Sequence, residues 1–485
     1  MNIFKTIWVF LTLAGSPFPA LAEGPPGADP VQEVDKLFAA YSRQDSPGAA
    51  VLVVKDGKVL INKGYGMANF EHRIPVTPET VFDVASISKQ FTGYAVALLC
   101  EQGIISPEDD IRAYIPELHD FGHVITIGHL VHHTSGFRNW THALSLAGVR
   151  GDDQISFERI LNMAYRQREL NFVPGSEYSY SNTGYNLLAE LVQRVTGLSF
   201  REWTEKNIFH PLGMKDTRFR TEPTELIFNG ADSYQRREDG QWRSIPNHLT
   251  AYGSSSLLTT SSDLAKWVLN LDDPQVGGPG VRERIFRADT LNNGEPNAYA
   301  YGLLTGEYRG TKRIYHNGAW ASFRAHLSFL PEHRFSVVVL NNFPLRSVEY
   351  AERIIDIYLS DELEPAGSWD GDTGKAPGPG RKTGPAGKDK SSAGFEMEEY
   401  TGVYLSVELE AIYSVMTGKE GLCLSSIHHG IIPLDHDRDD RFAGPGFVRN
   451  VEFYRDRRGK VQGFKVSSAT NRNQRFCRIE DTECE

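Results

Sequence analysis

Val81-Phe82-Asp83-Val84-Ala85-Ser86-Ile87-Ser88-Lys89 runs straight into residues 90–101, where Phe91, Tyr94, Ala95, Leu98 and Leu99 recur at helical spacing. An apolar stretch that ends in Ser86 and opens a helix places Ser86 and Lys89 at i and i+3, roughly 5 to 6 Å apart at Cβ. A serine hydroxyl is a poor nucleophile until a neighbouring base takes its proton. The first turn of a helix also supplies backbone N–H groups where a developing oxyanion needs them. Taken alone, the four residues describe an ordinary helix start equally well, so the reading requires partners elsewhere in the chain.

Two partners are present. Tyr180-Ser181-Asn182 follows the Pro174-Gly175 turn and precedes a helical pattern over residues 185–195. A phenol there can shuttle a proton, while an amide two residues on can accept from Lys89 and donate to a substrate carbonyl. His316-Asn317-Gly318-Ala319 lies on a strand-like run over residues 313–329. Its glycine lets a substrate backbone lie alongside, and the next N–H completes an oxyanion hole. For Lys89 to act as base, its pKa must fall from about 10.4 to near 7, about 4.6 kcal/mol, which requires burial or a second cation. A cationic Lys89 that lowers the Tyr180 phenol is the alternative, and such coupled groups titrate as a unit.

In this order and spacing the three motifs resemble the serine β-lactamase and penicillin-binding-protein superfamily, in its class C-like branch with D-aminopeptidases, DD-peptidases and related esterases. The resemblance extends over roughly residues 28–360. It includes Ile125-Thr126-Ile127-Gly128-His129-Leu130 through His133-Thr134-Ser135-Gly136, Pro211-Leu212-Gly213-Met214, and Ser255-Ser256-Leu257 through Asp263-Leu264-Ala265. It implies an α/β fold: a β-lactamase/transpeptidase-like antiparallel sheet with flanking helices, followed by a small C-terminal all-β, barrel-like domain. It also implies that Ser86 is the acylated nucleophile and that Lys89 and Tyr180 share the proton work. Asn182, His316 and Gly318 would then contact substrate, with the N–H groups of Ser86 and Ala319 forming the oxyanion hole. Neither cofactor nor metal is expected. The partner is a small-molecule or peptide substrate.

One departure bears on specificity. Many relatives carry Lys-Thr-Gly where this chain has His316. At 4 Å and an effective dielectric near 20, a fixed cation attracts a carboxylate by about 4 kcal/mol, and a neutral imidazole forfeits that attraction. Esters or amides of D-amino acids are therefore favoured over penicillins, unless Arg324 faces the cleft. Ser322, where relatives often carry Gly, is expected to narrow the cleft edge. The Lys382-Thr383-Gly384 triplet has no strand to hold it and is read as a chance match. His129, His132 and His133 are read as structural. The competing functions are a class C-like β-lactamase or DD-carboxypeptidase and, in a different class, an inactive protein that uses the cleft or the barrel for binding or assembly.

The organisation around this core follows from composition. The chain has 485 residues, 40% hydrophobic and 23% charged, and a formal net charge of −11, which suits a globular protein and disfavours nucleic acid as a partner. Residues 1–22 read as a signal peptide: Lys5, an apolar run over 7–14, and Ala20-Leu21-Ala22 before Glu23. The run is too short to span a bilayer, so an exported, periplasmic or secreted protein without a membrane span is expected after cleavage. Residues 23–362 form the expected catalytic domain, 363–394 a Gly/Pro-rich linker, and 395–485 the barrel-like domain, in which Gly463 fits a bulge. Cys423, Cys477 and Cys484 are candidates for pairing in an oxidising space, with no pairing preferred.

Overall fold

The computed structural model describes residues 29–365, 396–419, 421–468 and 470–479. The expected signal peptide, nearly all of the 363–394 linker, the Lys382-Thr383-Gly384 triplet and Cys484 lie outside the described residues.

Pro at the first turn and the Asp29 side chain accepting from the Val31 N–H start helix α1 (Pro30–Phe38). Asp56 and Gly57, at φ 50° and 74°, then turn strand β1 (Ala49–Lys55) tightly into β2 (Lys58–Tyr65), as the dipeptide demands. Helices α2 (Ser88–Glu101) and α3 (Asn182–Thr196) follow. The sheet is completed by β3 (Leu304–Tyr308), β4 (Thr311–Trp320), β5 (Phe323–Leu330) and β6 (Phe335–Asn341), and helix α4 (Ser347–Leu359) closes the unit.

The six strands form one antiparallel sheet in the order β3-β4-β5-β6-β1-β2. The ends of the chain segment therefore meet in its middle, where β1 pairs with β6. Both strands are buried on two faces, and the period of two sorts their side chains. Leu52, Val54, Val338 and Leu340 join the main helical core with Phe91, Ala95 and Leu187, while Val51, Val53, Val337 and Val339 pack under α1 and α4 with Val34, Phe38 and Ile354. The result is three layers.

The run over residues 313–329 is two strands rather than one. Ala321, at φ 48°, makes the turn between β4 and β5 without the glycine or proline that usually marks one. The hairpin decides which way Arg324 faces. It pairs with Ala319, whereas His316 pairs with Leu327, so Arg324 and His316 project from opposite faces. The Arg324 guanidinium donates to the Ala321 and Phe323 carbonyls at the turn.

Beyond the three-layer unit, nine short strands among the described residues form a second sheet: β7 (Gly402–Ser406), β8 (Ala411–Gly418), β9 (Gly421–Ser426), β10 (Gly430–Pro433), β11 (Asp435–Arg438), β12 (Arg441–Ala443), β13 (Asn450–Arg455), β14 (Val461–Ser467) and β15 (Gln474–Arg478). Their order is β10-β9-β8-β7-β15-β14-β13-β12-β11. The two edge strands are consecutive in the chain and joined through Leu434, so the sheet curls nearly closed around Tyr404, Tyr413, Phe453, Phe464 and Phe476. The bulge falls at Gln462-Gly463: Tyr454 pairs with Gly463 and Arg455 with Val461. Cys477 is disulfide-bonded, and Cys100 and Cys423 are free.

The barrel is packed onto the three-layer unit. Trp140, Leu144, Leu146, Ile160 and Met163 share one core with the barrel aromatics. Arg138, almost wholly buried, pairs with Glu408 at 2.7 Å and donates to the Arg472 and Asn473 carbonyls.

Candidate active site

Asp83 is the last residue of a short strand that pairs with Leu258, and the next residues form a tight 3-10 turn, Ala85–Ile87, before α2 begins. Ala85 sits at φ 48° and projects Ser86 from the turn, while the Ser88 hydroxyl bonds back to the Ala85 carbonyl and accepts from the Leu257 N–H. One turn later the Lys89 side chain is wholly buried. Its Nζ lies 3.2 Å from Ser86 Oγ, 2.7 Å from Asn182 Oδ1 and 2.7 Å from the Ser254 carbonyl. Burial holds Lys89 well below the ordinary lysine range. The same burial raises the Tyr180 phenol, only partly offset by its hydrogen bond with Ser86.

Asn182 opens α3, and its amide orientation is set on both sides. Oδ1 accepts from Lys89, and Nδ2 donates to Asn139 Oδ1 at 3.1 Å. The Asn139 N–H in turn donates to Asn471 Oδ1 of the barrel at 3.0 Å. The Tyr180 ring rests on the His133 ring, with centroids 4.3 Å apart, and His133 Nδ1 accepts the Ser181 N–H.

His316 projects into the same cluster from β4. Its Nδ1 is 2.6 Å from the Asn317 carbonyl, which can only accept, so the proton resides on Nδ1. Nε2 therefore accepts from the Tyr299 hydroxyl at 2.9 Å. Burial, reinforced by nearby Lys89, lowers His316 to about 3. It is thus neutral through the physiological range, with both nitrogens engaged inside the protein. Gly318 serves a close approach within the chain itself: a Cβ there would fall 2.1 Å from the Val84 carbonyl. Gly318→Ala is accordingly expected to push β4 off the turn that carries Ser86 and to cost about 1 to 3 kcal/mol of stability, measurable by denaturant unfolding. Ala319, next on the strand, is exposed at its edge.

All the sequence-derived residues thus converge: Ser86, Lys89, Tyr180 and Asn182 in direct or single-step contact, with His316, Gly318 and Ala319 alongside. His129 and His132 are engaged elsewhere, His129 in capping its own helix and His132 on the Tyr299 carbonyl. Among the described residues, no group of three or more His, Cys, Asp or Glu could hold a metal ion. Sequence reasoning missed Tyr299, Asn139 and the Ser254 carbonyl. A signal for Tyr299 existed in two glycines that let its segment lie against α2. A Cβ on Gly93 would meet the Tyr301 carbonyl at 2.3 Å, and one on Gly302 the Lys89 carbonyl at 2.1 Å.

Comparisons with known proteins agree with this fold. The chain belongs to the Beta-lactamase family, whose model matches residues 34–359. Among individual proteins, it is 31% identical to a D-aminopeptidase of Gluconobacter oxydans (strain 621H) over 68% of this chain and 62% of that relative's length. The match therefore spans under two thirds of the relative. An octameric penicillin-binding protein homologue from Pyrococcus abyssi shares the fold at a TM-score of 0.61 and 22% identity, covering 92% of this chain and 99% of that one. The D-amino acid amidase of Ochrobactrum anthropi SV3 does so at 0.59 and 20%, covering 69% and 100%.

Proposed function

We propose that the chain is an exported serine hydrolase that forms an acyl-enzyme on Ser86 and cleaves a small ester, or an amide or peptide of D-amino acid or cell-wall type. The Lys89 environment carries this reading. Asn182 Oδ1 and the Ser254 carbonyl are acceptors only, so they take the two N–H bonds of a neutral amine, and its lone pair is left for the Ser86 hydroxyl. The Ser86 proton passes to Lys89 as Oγ attacks the substrate carbonyl. The N–H groups of Ser86 and Ala319 receive the oxyanion, and the positive end of α2 favours it. Tyr180, hydrogen-bonded to Ser86 and held protonated by burial, donates its proton to the leaving group, and the proton that Lys89 took from Ser86 restores it, so that both groups end as they began.

The substrate class follows from charge. With His316 neutral and Arg324 on the other face of the sheet, neither supplies the fixed cation that would grip a terminal carboxylate. This weighs against the β-lactamase and DD-carboxypeptidase readings. The D-aminopeptidase relative and the fold shared with a D-amino acid amidase support an amide or ester of a D-amino acid. The disulfide at Cys477 supports an oxidising compartment. No helix among the described residues is long and apolar enough to cross a membrane.

The test is exposure to a serine-reactive fluorophosphonate followed by peptide mapping, then turnover of a neutral ester against its carboxylate-bearing counterpart. A single adduct on Ser86 and faster turnover of the neutral ester are expected. A folded sample without an adduct that hydrolyses neither ester would favour the binding or assembly reading instead.

A further inference from the structure

The two N–H groups proposed for the oxyanion hole come from segments more than 200 residues apart in the chain: one follows a strained turn, and the other lies where β4 is paired with β5 on one edge alone. Ala85, directly before Ser86, has the left-handed φ of 48° that a residue with a side chain keeps only when its surroundings impose it. Trp320, directly after Ala319, ends β4 beyond the reach of β3, whose pairing stops at Tyr315. A polar chain, buried at Asp83 and half-buried at Asn247 and Trp320, joins them. Asp83 Oδ1 accepts the Ala85 N–H at 2.8 Å, and Asp83 Oδ2 accepts from Asn247 Nδ2 at 2.8 Å. Asn247 Oδ1 then accepts the Trp320 indole N–H at 3.1 Å.

We propose that Asn247 is a positioning residue that, through Asp83 and Trp320, sets the separation of the Ser86 and Ala319 N–H groups. This rests on the hydrolase reading above. The chemistry of the chain is restrictive. An indole N–H only donates, and both Asp83 oxygens accept, so the link requires a residue with one donor and one acceptor at the reach of an Asn side chain. A carboxylate in its place has no hydrogen for Asp83, and an aliphatic group has nothing for either. Asn247 is itself anchored from a third direction, since Arg220, 6% exposed, donates to its backbone carbonyl at 2.8 Å and Asn247 Oδ1 also accepts the Leu249 N–H at 3.3 Å. The Trp320 ring packs against Trp140, centroids 5.7 Å apart, which holds the indole in place when its N–H bond is removed.

The test compares an ester with its thionoester in the full chain. A thiocarbonyl sulfur is a weak hydrogen-bond acceptor, so its reaction gains little from a well-set oxyanion hole, and the ratio of the two rates reports that geometry rather than general stability. Trp320→Phe keeps the ring and deletes only the donor, and Asn247→Leu deletes both links. Trp320→Phe is expected to lower kcat for the ester about tenfold while KM stays within about twofold and the thionoester rate falls less than about threefold. Asn247→Leu is expected to go further in the same direction. If Asn247→Leu does not fold, Trp320→Phe decides alone. Equal losses on both substrates, or no loss on either, overturn the positioning role while leaving the hydrolase intact. Absence of both turnover and a Ser86 adduct in the wild type overturns the hydrolase reading, and this role with it.

Discussion

Ser86→Ala, Lys89→Met and the double variant are expected to fall to one common residual rate, on the order of 10⁴-fold or more below wild type. The reason is geometric. Lys89 Nζ has three neighbours, and only one of them, Ser86 Oγ, can hand it a proton. In the proposed mechanism nucleophile and base therefore act as one unit, and losing either forfeits the same step, so the two losses do not add. Methionine fills the lysine stem's volume without a base. Lys89→Arg, charged at every working pH, is expected to be equally inactive.

The pH dependence has a definite sign. Only neutral Lys89 accepts the proton, and burial lowers its pKa, so acylation is lost as pH falls through that lowered value and is retained above it. Tyr180 shifts the other way and stays protonated across this range. Initial ester rates and fluorophosphonate labelling rates across pH measure both points. A double variant whose loss equals the product of the single losses would contradict the shared step.

The second large effect concerns stability. Arg138→Met is expected to cost about 3 to 5 kcal/mol in denaturant unfolding, because it leaves the Glu408 carboxylate buried without its partner. It also removes the donors that hold the Arg472 and Asn473 carbonyls, and so loosens the barrel loop next to Asn471. Arg138→Met with Glu408→Leu is expected to regain much of the loss, since no unpaired charge then remains. The pH dependence distinguishes this cause from simple loss of packing. Burial raises Glu408 above its unfolded value, and removing Arg138 raises it further. A group raised in the folded state contributes stability that is present below its unfolded pKa and lost as pH rises through the folded one. The deficit of Arg138→Met should therefore shrink as pH is lowered toward 5. A deficit independent of pH would mean that packing, not charge, accounts for the loss.

Much of this was legible in the chain, and what was legible is local. The Asp56-Gly57 hairpin, the helix after Ser86, the helix after Asn182 and the bulge at Gly463 each depend on a few consecutive residues whose backbone preferences agree. The β4–β5 turn was not legible, because Ala321 takes a left-handed conformation that its residue type does not signal, and the face on which Arg324 lies depends on that turn.

The sequence by itself therefore determined which side chains could react and that Ser86 and Lys89 lie one helical turn apart, since spacing on a helix is a short-range property. Only the tertiary structure decided how their surroundings shift and orient them. Burial among residues such as Ser254, 165 positions away, lowers the Lys89 pKa, His316 takes its tautomer from Tyr299 and the Asn317 carbonyl, and Asn182 takes its amide orientation from Asn139 beside the barrel. Desolvation and hydrogen-bond partnership are sums over whatever the fold packs around a group, and no stretch of consecutive residues contains that sum.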